Sequence, residues 1–255
     1  MKRFKGEPFK EKYEKSSGAQ SNKTLYATPT VMEYSPDGSF LVVGYDIGRI
    51  YVYNPENVHE KTQDSKISIT DIIEDEKCSP IQEILFSNDA KYFAACDQKG
   101  RLGVFKHDSM IKEKATKEWH RIAENDFSQT IISFCFSEKN HKIYCICVDK
   151  QIYELDFSEP IQNYKFKIGK IYKVEDDCKM TSVIWYPFGQ GKDHNILVSN
   201  ENYKMKLIHP NELVVKQTSL GPTYGGPIKK MKMIHCKDQD KKIIAFSLEK
   251  KVPII

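Results

Sequence analysis

Seven cysteines and seven histidines are the side chains of this sequence best suited to metal or nucleophilic chemistry, and their spacing supports neither. Cys78, Cys96, Cys135, Cys145, Cys147, Cys178 and Cys236 include no C-x-x-C pair, so no zinc site or disulfide framework is expected. Several lie inside apolar runs and read as buried, inert thiols. The histidines form no H-E-x-x-H, and His235 and Cys236, as neighbours on a strand, would point to opposite faces. Gly189-Gln190-Gly191-Lys192 lacks the spacing and the following helix of a phosphate loop. Glu74-Asp75-Glu76 and Glu175-Asp176-Asp177 fall short of a twelve-residue calcium loop and read as solvated turns. Asn22-Lys23-Thr24 fits a glycosylation sequon, yet the charged start from Met1 to Lys5 is followed by no apolar stretch of a signal peptide. No catalytic, metal-ligating or cofactor-binding residue emerges, and the sequence reads as a binding protein rather than an enzyme.

Composition narrows what is bound. With 255 residues, 40% hydrophobic and 29% charged, the chain can bury a substantial core. No run approaches the ~18 apolar residues of a spanning helix, so a soluble intracellular protein with no membrane contact is expected. Residues 1–25 hold seven basic residues against three Glu, a net +4 that equals the charge of the whole chain, so residues 26–255 sum to zero. Only four of the 39 basic residues are Arg, the side chain that forks onto phosphates and guanine edges. A neutral, lysine-rich body argues against a nucleic-acid reader. The tail is read as a flexible arm that orders against an acidic surface, with Lys2, Arg3, Lys5, Phe9 and Lys10 as its candidate contacts.

Those charges decorate a repeat. Val31-Met32-Glu33-Tyr34-Ser35-Pro36-Asp37-Gly38 leads into Phe40-Leu41-Val42-Val43-Gly44 and then Gly48-Arg49-Ile50-Tyr51-Val52-Tyr53. The same grammar returns from Ile81, Ile131 and Ser182, and a fifth copy opens at Ile228. Aligned on Tyr34, Phe86, Phe136 and Tyr186, the period is 52, 50 and 50 residues. Each unit shows three β-branched or aromatic runs separated by polar turns, then a more polar fourth strand near 66–73, 118–123, 165–174 and 213–218. Four antiparallel strands per repeat of this length predict an all-β propeller. Its blades are expected at about 27–76, 77–127, 128–177, 178–222 and, incomplete, 223–255, behind the tail at 1–24.

The phrases S-P-D-G, L-V-V-G and G-R-I-Y-V-Y resemble the WD-repeat family. Family blades usually carry a buried Asp–His–Ser/Thr–Trp hydrogen-bonding set. Here Asp46, Asp97, Asp149 and Asn200 occupy the turn before strand three, where they read as turn-formers. Tyr53, Phe105, Phe157 and His209 replace the Trp that ends it. Leu25-Tyr26-Ala27-Thr28 could lend the fifth unit its outer strand and close a five-bladed ring. The chain ends within what reads as a strand, and the favoured expectation is part of a larger, seven-bladed propeller of roughly 350 residues. Candidate partner-binding residues on one rim are Tyr45, Cys96, Val148 and Ser199, a set suited to a protein partner. The connection from His107 to Lys117, with Met110 and Ile111, is the candidate interface insertion.

Leu197-Val198-Ser199-Asn200-Glu201-Asn202-Tyr203-Lys204-Met205-Lys206, followed by Leu220-Gly221-Pro222-Thr223-Tyr224-Gly225-Gly226-Pro227-Ile228, resembles the ciliary and flagellar WD-repeat proteins. Among these it is most similar to those of the radial spokes and the calmodulin- and spoke-associated complex. The resemblance implies a non-enzymatic scaffold of the cytoskeleton in the ciliary or flagellar axoneme, supporting motility, with axonemal proteins as partners and no small-molecule substrate. No calcium-binding region of the family is matched here. An adaptor in another complex, such as a ubiquitin-ligase substrate receptor, is the competing reading.

Overall fold

The computed structural model describes residues 11–13, 25–56, 67–69, 79–107, 119–137, 141–158, 165–173, 178–186, 195–209, 214–220, 226–236 and 241–248. They form antiparallel sheets that match the repeat. The first sheet runs β3 (Pro29–Tyr34), β4 (Leu41–Tyr45), β5 (Arg49–Tyr53) and β6 (Ile67–Ser68). The second runs β7 (Ile81–Phe86), β8 (Tyr92–Asp97), β9 (Arg101–His107) and β10 (Trp119–Asp126). The third is β11 (Ile131–Phe136), β12 (Lys142–Cys147), β13 (Gln151–Asp156) and β14 (Lys167–Lys173). The fourth is β15 (Met180–Tyr186), β16 (Asn195–Asn200), β17 (Lys204–His209) and β18 (Val214–Leu220). The fifth pairs β19 (Ile228–Cys236) with β20 (Lys241–Leu248).

The sheets fall into two compact units, residues 1–128 with 161–166, and residues 129–160 with 167–255. In the first, β4 is buried on both faces, which is why its sequence is a continuous apolar run rather than an alternation. Val42, with Ile50 and Val52, packs against Ile81, Ile84, Phe93, Phe105 and Trp119 of the second sheet. Leu41, Val43, Tyr45, Tyr51 and Tyr53 form a separate cluster on the opposite face, with Ala27. Phe93 stacks on Phe105 at 4.6 Å, and Phe40 and Phe86 meet Trp119 edge-on. In the second unit, Tyr144, Ile146 and Ile152 pack against Met180, Val183, Ile196 and Ile208. Ile184 and Leu197 then meet Ile228 and Met231 of the fifth sheet.

One irregularity recurs in all five repeats. The register slips by a residue between Pro29 and Val31, Ile81 and Glu83, Ile131 and Ser133, Met180 and Ser182, and Ile228 and Lys230. Each first strand thus carries a bulge at the same place, which bends it and deepens its twist. Counting from the bulge corrects two sequence alignments. The counterpart of Tyr34, Phe86 and Phe136 is Trp185, not Tyr186, because the fourth repeat is one residue shorter up to this point. The residues facing Leu41, Phe93, Ile143 and Ile196 across the ladder are Tyr53, Phe105, Leu155 and Ile208, so Phe157 and His209 do not share the position of Tyr53.

The N-terminal segment also departs from expectation. β1 (Glu11–Tyr13) pairs antiparallel with β2 (Leu25–Ala27), so residues 25–27 have a partner in the tail. Thr28, next along the chain, fastens β2 to the first sheet. Its N–H donates to Asp46 Oδ1 at 2.9 Å, and its carbonyl accepts from the Asp46 N–H at 3.0 Å.

Close approach between the first two sheets requires a glycine. A Cβ on Gly44 would lie 2.6 Å from Ile81 Cβ and Cγ2, whereas other repeats carry Cys96, Ile146 and Ser199 at this position. Beside it the Thr30 hydroxyl donates to the Ile81 carbonyl at 2.6 Å. Gly44→Ala is expected to destabilise the chain by about 1–3 kcal/mol through overpacking. Urea unfolding checks this, and an unchanged midpoint would show that the sheets separate freely there.

Candidate functional site

The turns between second and third strands form a repeated rim. They span Tyr45–Gly48, Asp97–Gly100, Cys147–Lys150 and Asn200–Tyr203, and the fourth residue of each has a positive φ, from 60° at Tyr203 to 84° at Gly100. In the first three, its N–H donates to the first residue's carbonyl at 3.1–3.2 Å. The second residue's N–H donates to the carbonyl of the residue just before the first strand: Asp46 to Thr28, Gln98 to Pro80, Val148 to Thr130 and Glu201 to Lys179. Each turn is therefore clasped to the start of its own sheet.

This geometry sorts the rim into layers. Tyr45, Asp97, Cys147 and Asn200 occupy the first turn position and are buried. Cys96 and Ser199 lie one residue earlier, in the strands, and are buried too. The second position reaches solvent, with Gln98, Val148 and Glu201 exposed and Asp46 half-buried. Of the four rim residues singled out from sequence, only Val148, 50% exposed, presents a surface to a partner. Tyr45 instead shares a 2.7 Å hydroxyl–hydroxyl hydrogen bond with Tyr53, and Ser199 one of 2.8 Å with Thr181. The accessible layer is Asp46, Gln98, Val148 and Glu201, three polar side chains and one aliphatic, with no aromatic residue among them. Met110, Ile111, Lys2, Arg3, Lys5, Phe9 and Lys10 lie outside the described residues.

The three aspartates stand at different turn positions, so one residue type does three jobs. Asp46 caps the strand start through Thr28. Asp97 is buried, accepts the N–H groups of Lys99 and Arg101 at 3.0 Å, and pairs with the Arg101 guanidinium, Nε lying 2.6 Å away. Asp149 accepts from the Tyr153 hydroxyl at 2.6 Å, Gln129 at 2.9 Å and the Gln151 N–H at 3.1 Å. Burial alone would raise its pKa, but these hydrogen bonds outweigh burial and hold it below the usual carboxylate value. Burial and the bond to Asp149 push the Tyr153 hydroxyl the other way.

On the opposite ends of the strands, Ser35 and Ser87 donate to Asp37 and Asp89 at 2.6 and 2.7 Å and accept the N–H of Phe40 and Tyr92. Sequence reading missed a buried cluster in the third sheet. Glu154 accepts from Lys142 Nζ at 2.9 Å and from the Tyr144 hydroxyl at 2.8 Å. Burial first, then this hydrogen bond, raises the Tyr144 pKa far above its ordinary value. The cross-strand register joining Tyr144 to Glu154 is the only signal, and it needs the hairpin to be in place. Every one of these groups is satisfied by a structural partner. Among the described residues no group of three or more His, Cys, Asp or Glu is disposed to hold a metal ion.

Similarity to known proteins supplies what the rim chemistry does not. No protein-family model matches the chain. Over 80% of its length it superposes on 58% of the β-propeller domain of Cps50 (Swd1) from Myceliophteria thermophila, with a TM-score of 0.58 and 13% identity. The chain is a β-propeller. Its four-stranded sheets are blades, and in sequence it resembles cilia- and flagella-associated protein 251 from three organisms. It is 29% identical to that of Tetrahymena thermophila over 89% of this chain, 23% to that of Pongo abelii over 89%, and 21% to that of Mus musculus over 87%. The propeller chain spans 25%, 18% and 17% of those relatives.

The rim contacts can be tested blade by blade. Asp97→Ala leaves the Arg101 guanidinium with its buried partner removed, and a loss of about 3–5 kcal/mol is expected in chemical unfolding. Asp37, Asp89 and Asp149 are all held below their ordinary value of 3.8. The unfolded chain therefore binds protons more tightly, so their contribution is complete well above pH 4 and is lost as pH falls through the folded values. Urea midpoints should drop steadily below about pH 4, and Asp89→Asn should flatten that slope; an unaltered slope would remove Asp89 from the account.

Proposed function

We propose that this propeller is a non-enzymatic scaffold of the ciliary or flagellar axoneme, in the radial-spoke region, supporting motility by holding neighbouring proteins in one assembly. The observation that carries the reading is the similarity to cilia- and flagella-associated protein 251 across nearly nine-tenths of the chain, in organisms as distant as a ciliate and two mammals. The rim chemistry is consistent with it, because its polar groups are spent on turns and clasps and its exposed layer offers contacts rather than reactive groups. The blades occupy residues 25–255 in five repeats, behind a basic arm at 1–24, and belong to a larger ring. Met32 and Tyr34 of β3, 48% and 50% exposed, support that ring, since their counterparts Ile84, Phe134, Val183 and Met231 are buried and Phe86, Phe136 and Trp185 are less exposed. Partners are other axonemal proteins, met through the exposed rim residues and the arm.

The test is retention. In a ciliated cell lacking its own copy, a tagged form of the protein should remain with the axoneme after detergent and roughly 0.6 M salt, where exposed charge contacts are screened. Val148→Glu should release part of it without lowering the unfolding midpoint. A tag found only in the cell body would overturn the reading.

A further inference from the structure

Two sulfurs meet in the third blade. Cys145 and Cys147 stand two residues apart on β12, so both side chains leave the same face of the sheet, and their Sγ atoms lie 3.8 Å apart. Both are fully buried. The register through the bulge shows that the pair is particular to this blade. The corresponding positions hold Val43 and Tyr45, Ala95 and Asp97, and Val198 and Asn200. On this face Cys145 lies between Phe134 and Tyr153 across the two ladders, and Cys147 lies opposite Ile131. Cys147 is also the residue at which the strand gives way to the rim turn. Its carbonyl accepts the Lys150 N–H at 3.2 Å, and the next residue, Val148, is 50% exposed. Lys150 closes this turn at a φ of 64°, where the first two blades use Gly48 and Gly100. A lysine in the left-handed region strains the backbone, so this turn opens more readily than those closed by glycine.

We propose that Cys145 and Cys147 are a paired oxidation site, which hydrogen peroxide converts to a disulfide within β12 when the turn at Cys147–Lys150 opens. The reaction has two steps. The Cys147 sulfur attacks one peroxide oxygen, so that an S–O bond forms as the O–O bond breaks, and the departing hydroxide takes the thiol proton as water. The Cys145 sulfur then attacks the sulfenic sulfur of Cys147. The S–S bond forms as the S–O bond breaks, and the hydroxyl leaves with the Cys145 proton as a second water. Two thiols are oxidised, one hydrogen peroxide is reduced, and the products are one disulfide and two waters. The second step is favoured because the resolving sulfur is already in contact with the one oxidised. Two residues of a strand span about 6.5 Å between Cα atoms, near the upper end of what a disulfide bridges, so closure draws Cys147 inward. That strain makes the bond easy to reduce and the modification reversible. It also carries the change to the rim, because Val148 and its N–H bond to the Thr130 carbonyl follow Cys147. The inference rests on two sulfurs in contact inside the third blade and does not depend on the ciliary reading or on how the ring closes.

The full chain is treated with hydrogen peroxide, unfolded in an alkylating agent and cut with trypsin. Cleavage after Lys142 and Lys150 releases Ile143–Lys150, which holds both cysteines and no other. The expected product is this peptide short of two hydrogens and without alkyl groups, returned to its doubly alkylated form by prior dithiothreitol. Cys96 and Cys135, which are also buried, should stay alkylable and so report that the fold is intact. In Cys145→Ala the second step is lost, and dimedone should capture Cys147 as its sulfenic acid about tenfold more than in the unaltered chain. Far-UV circular dichroism confirms that this variant folds, and the peptide mass of the unaltered chain carries the test if it does not. Amide exchange at Val148 should quicken about threefold on oxidation. An unchanged rate there would overturn the reach of the modification to the rim. A doubly alkylated Ile143–Lys150, at a dose that oxidises the partly exposed Cys178, would overturn the proposal. So would a bridge from either cysteine to a third one, or loss of the two hydrogens only when Cys96 and Cys135 are oxidised too, which would mark unfolding.

Discussion

An antiparallel ladder broken at one place in each first strand sets the geometry of every repeat. The extra residue at the bulge, Thr30 in the first blade and Thr181 in the fourth, leaves the regular register and turns its side chain to a partner on the neighbouring strand, the Gly44 carbonyl and the Ser199 hydroxyl. The residues just beyond it then bind the next first strand. The Ser133 hydroxyl accepts from the Val183 N–H at 3.5 Å, and the Ser182 hydroxyl from the Met231 N–H at 3.0 Å. The Thr30 hydroxyl does the same work on the Ile81 carbonyl. Each such bond contributes only about 1 kcal/mol net, so its weight is in register rather than in stability. A first strand that slipped by one residue would exchange its buried and open faces.

Stability comes mostly from what the bulge allows to meet. A sheet twisted in this way presents two faces, and β4, β8, β12 and β16 bury both. Polar groups inside that core are kept only where they are paired. Asp97 with Arg101, and Glu154 with Lys142 and Tyr144, are closed sets in which removing one member strands another. They differ from blade to blade. Blades of one architecture can therefore be fastened by unrelated chemistry, provided that the apolar faces match.

That difference explains what was legible in the sequence. The strands were, because alternation and continuous apolar runs arise directly from faces half or wholly buried: the fourth strands expected near 118–123, 165–174 and 213–218 are Trp119–Asp126, Lys167–Lys173 and Val214–Leu220. Register was not. Asp46, Asp97 and Asp149 look equivalent in the linear chain, yet stand at the second, first and third turn positions, because one residue of offset costs nothing in a turn that can take its positive φ at Gly48, Gly100 or Lys150. The rim residues inherited the error. Tyr45 and Ser199 were placed at the surface by counting to the turn, whereas the clasp from Thr28 to Asp46, or Lys179 to Glu201, fixes the water-facing layer one or two residues later. Hydrogen bonds between segments tens of residues apart leave no local mark.

Net charge hides structure in the same way. A sum near zero over residues 26–255 describes a molecule with no electrostatic preference, but the sum has no spatial meaning until the strands are placed. Once β19 is known to turn Met231 and Met233 inward, Lys230 and Lys232 must face outward together, since the strand repeat allows no other arrangement. In the fourth blade the same two places hold Ser182 and Ile184, both buried, so one position of the repeat carries residues of opposite character in neighbouring blades, and only the register through the bulge shows that they correspond.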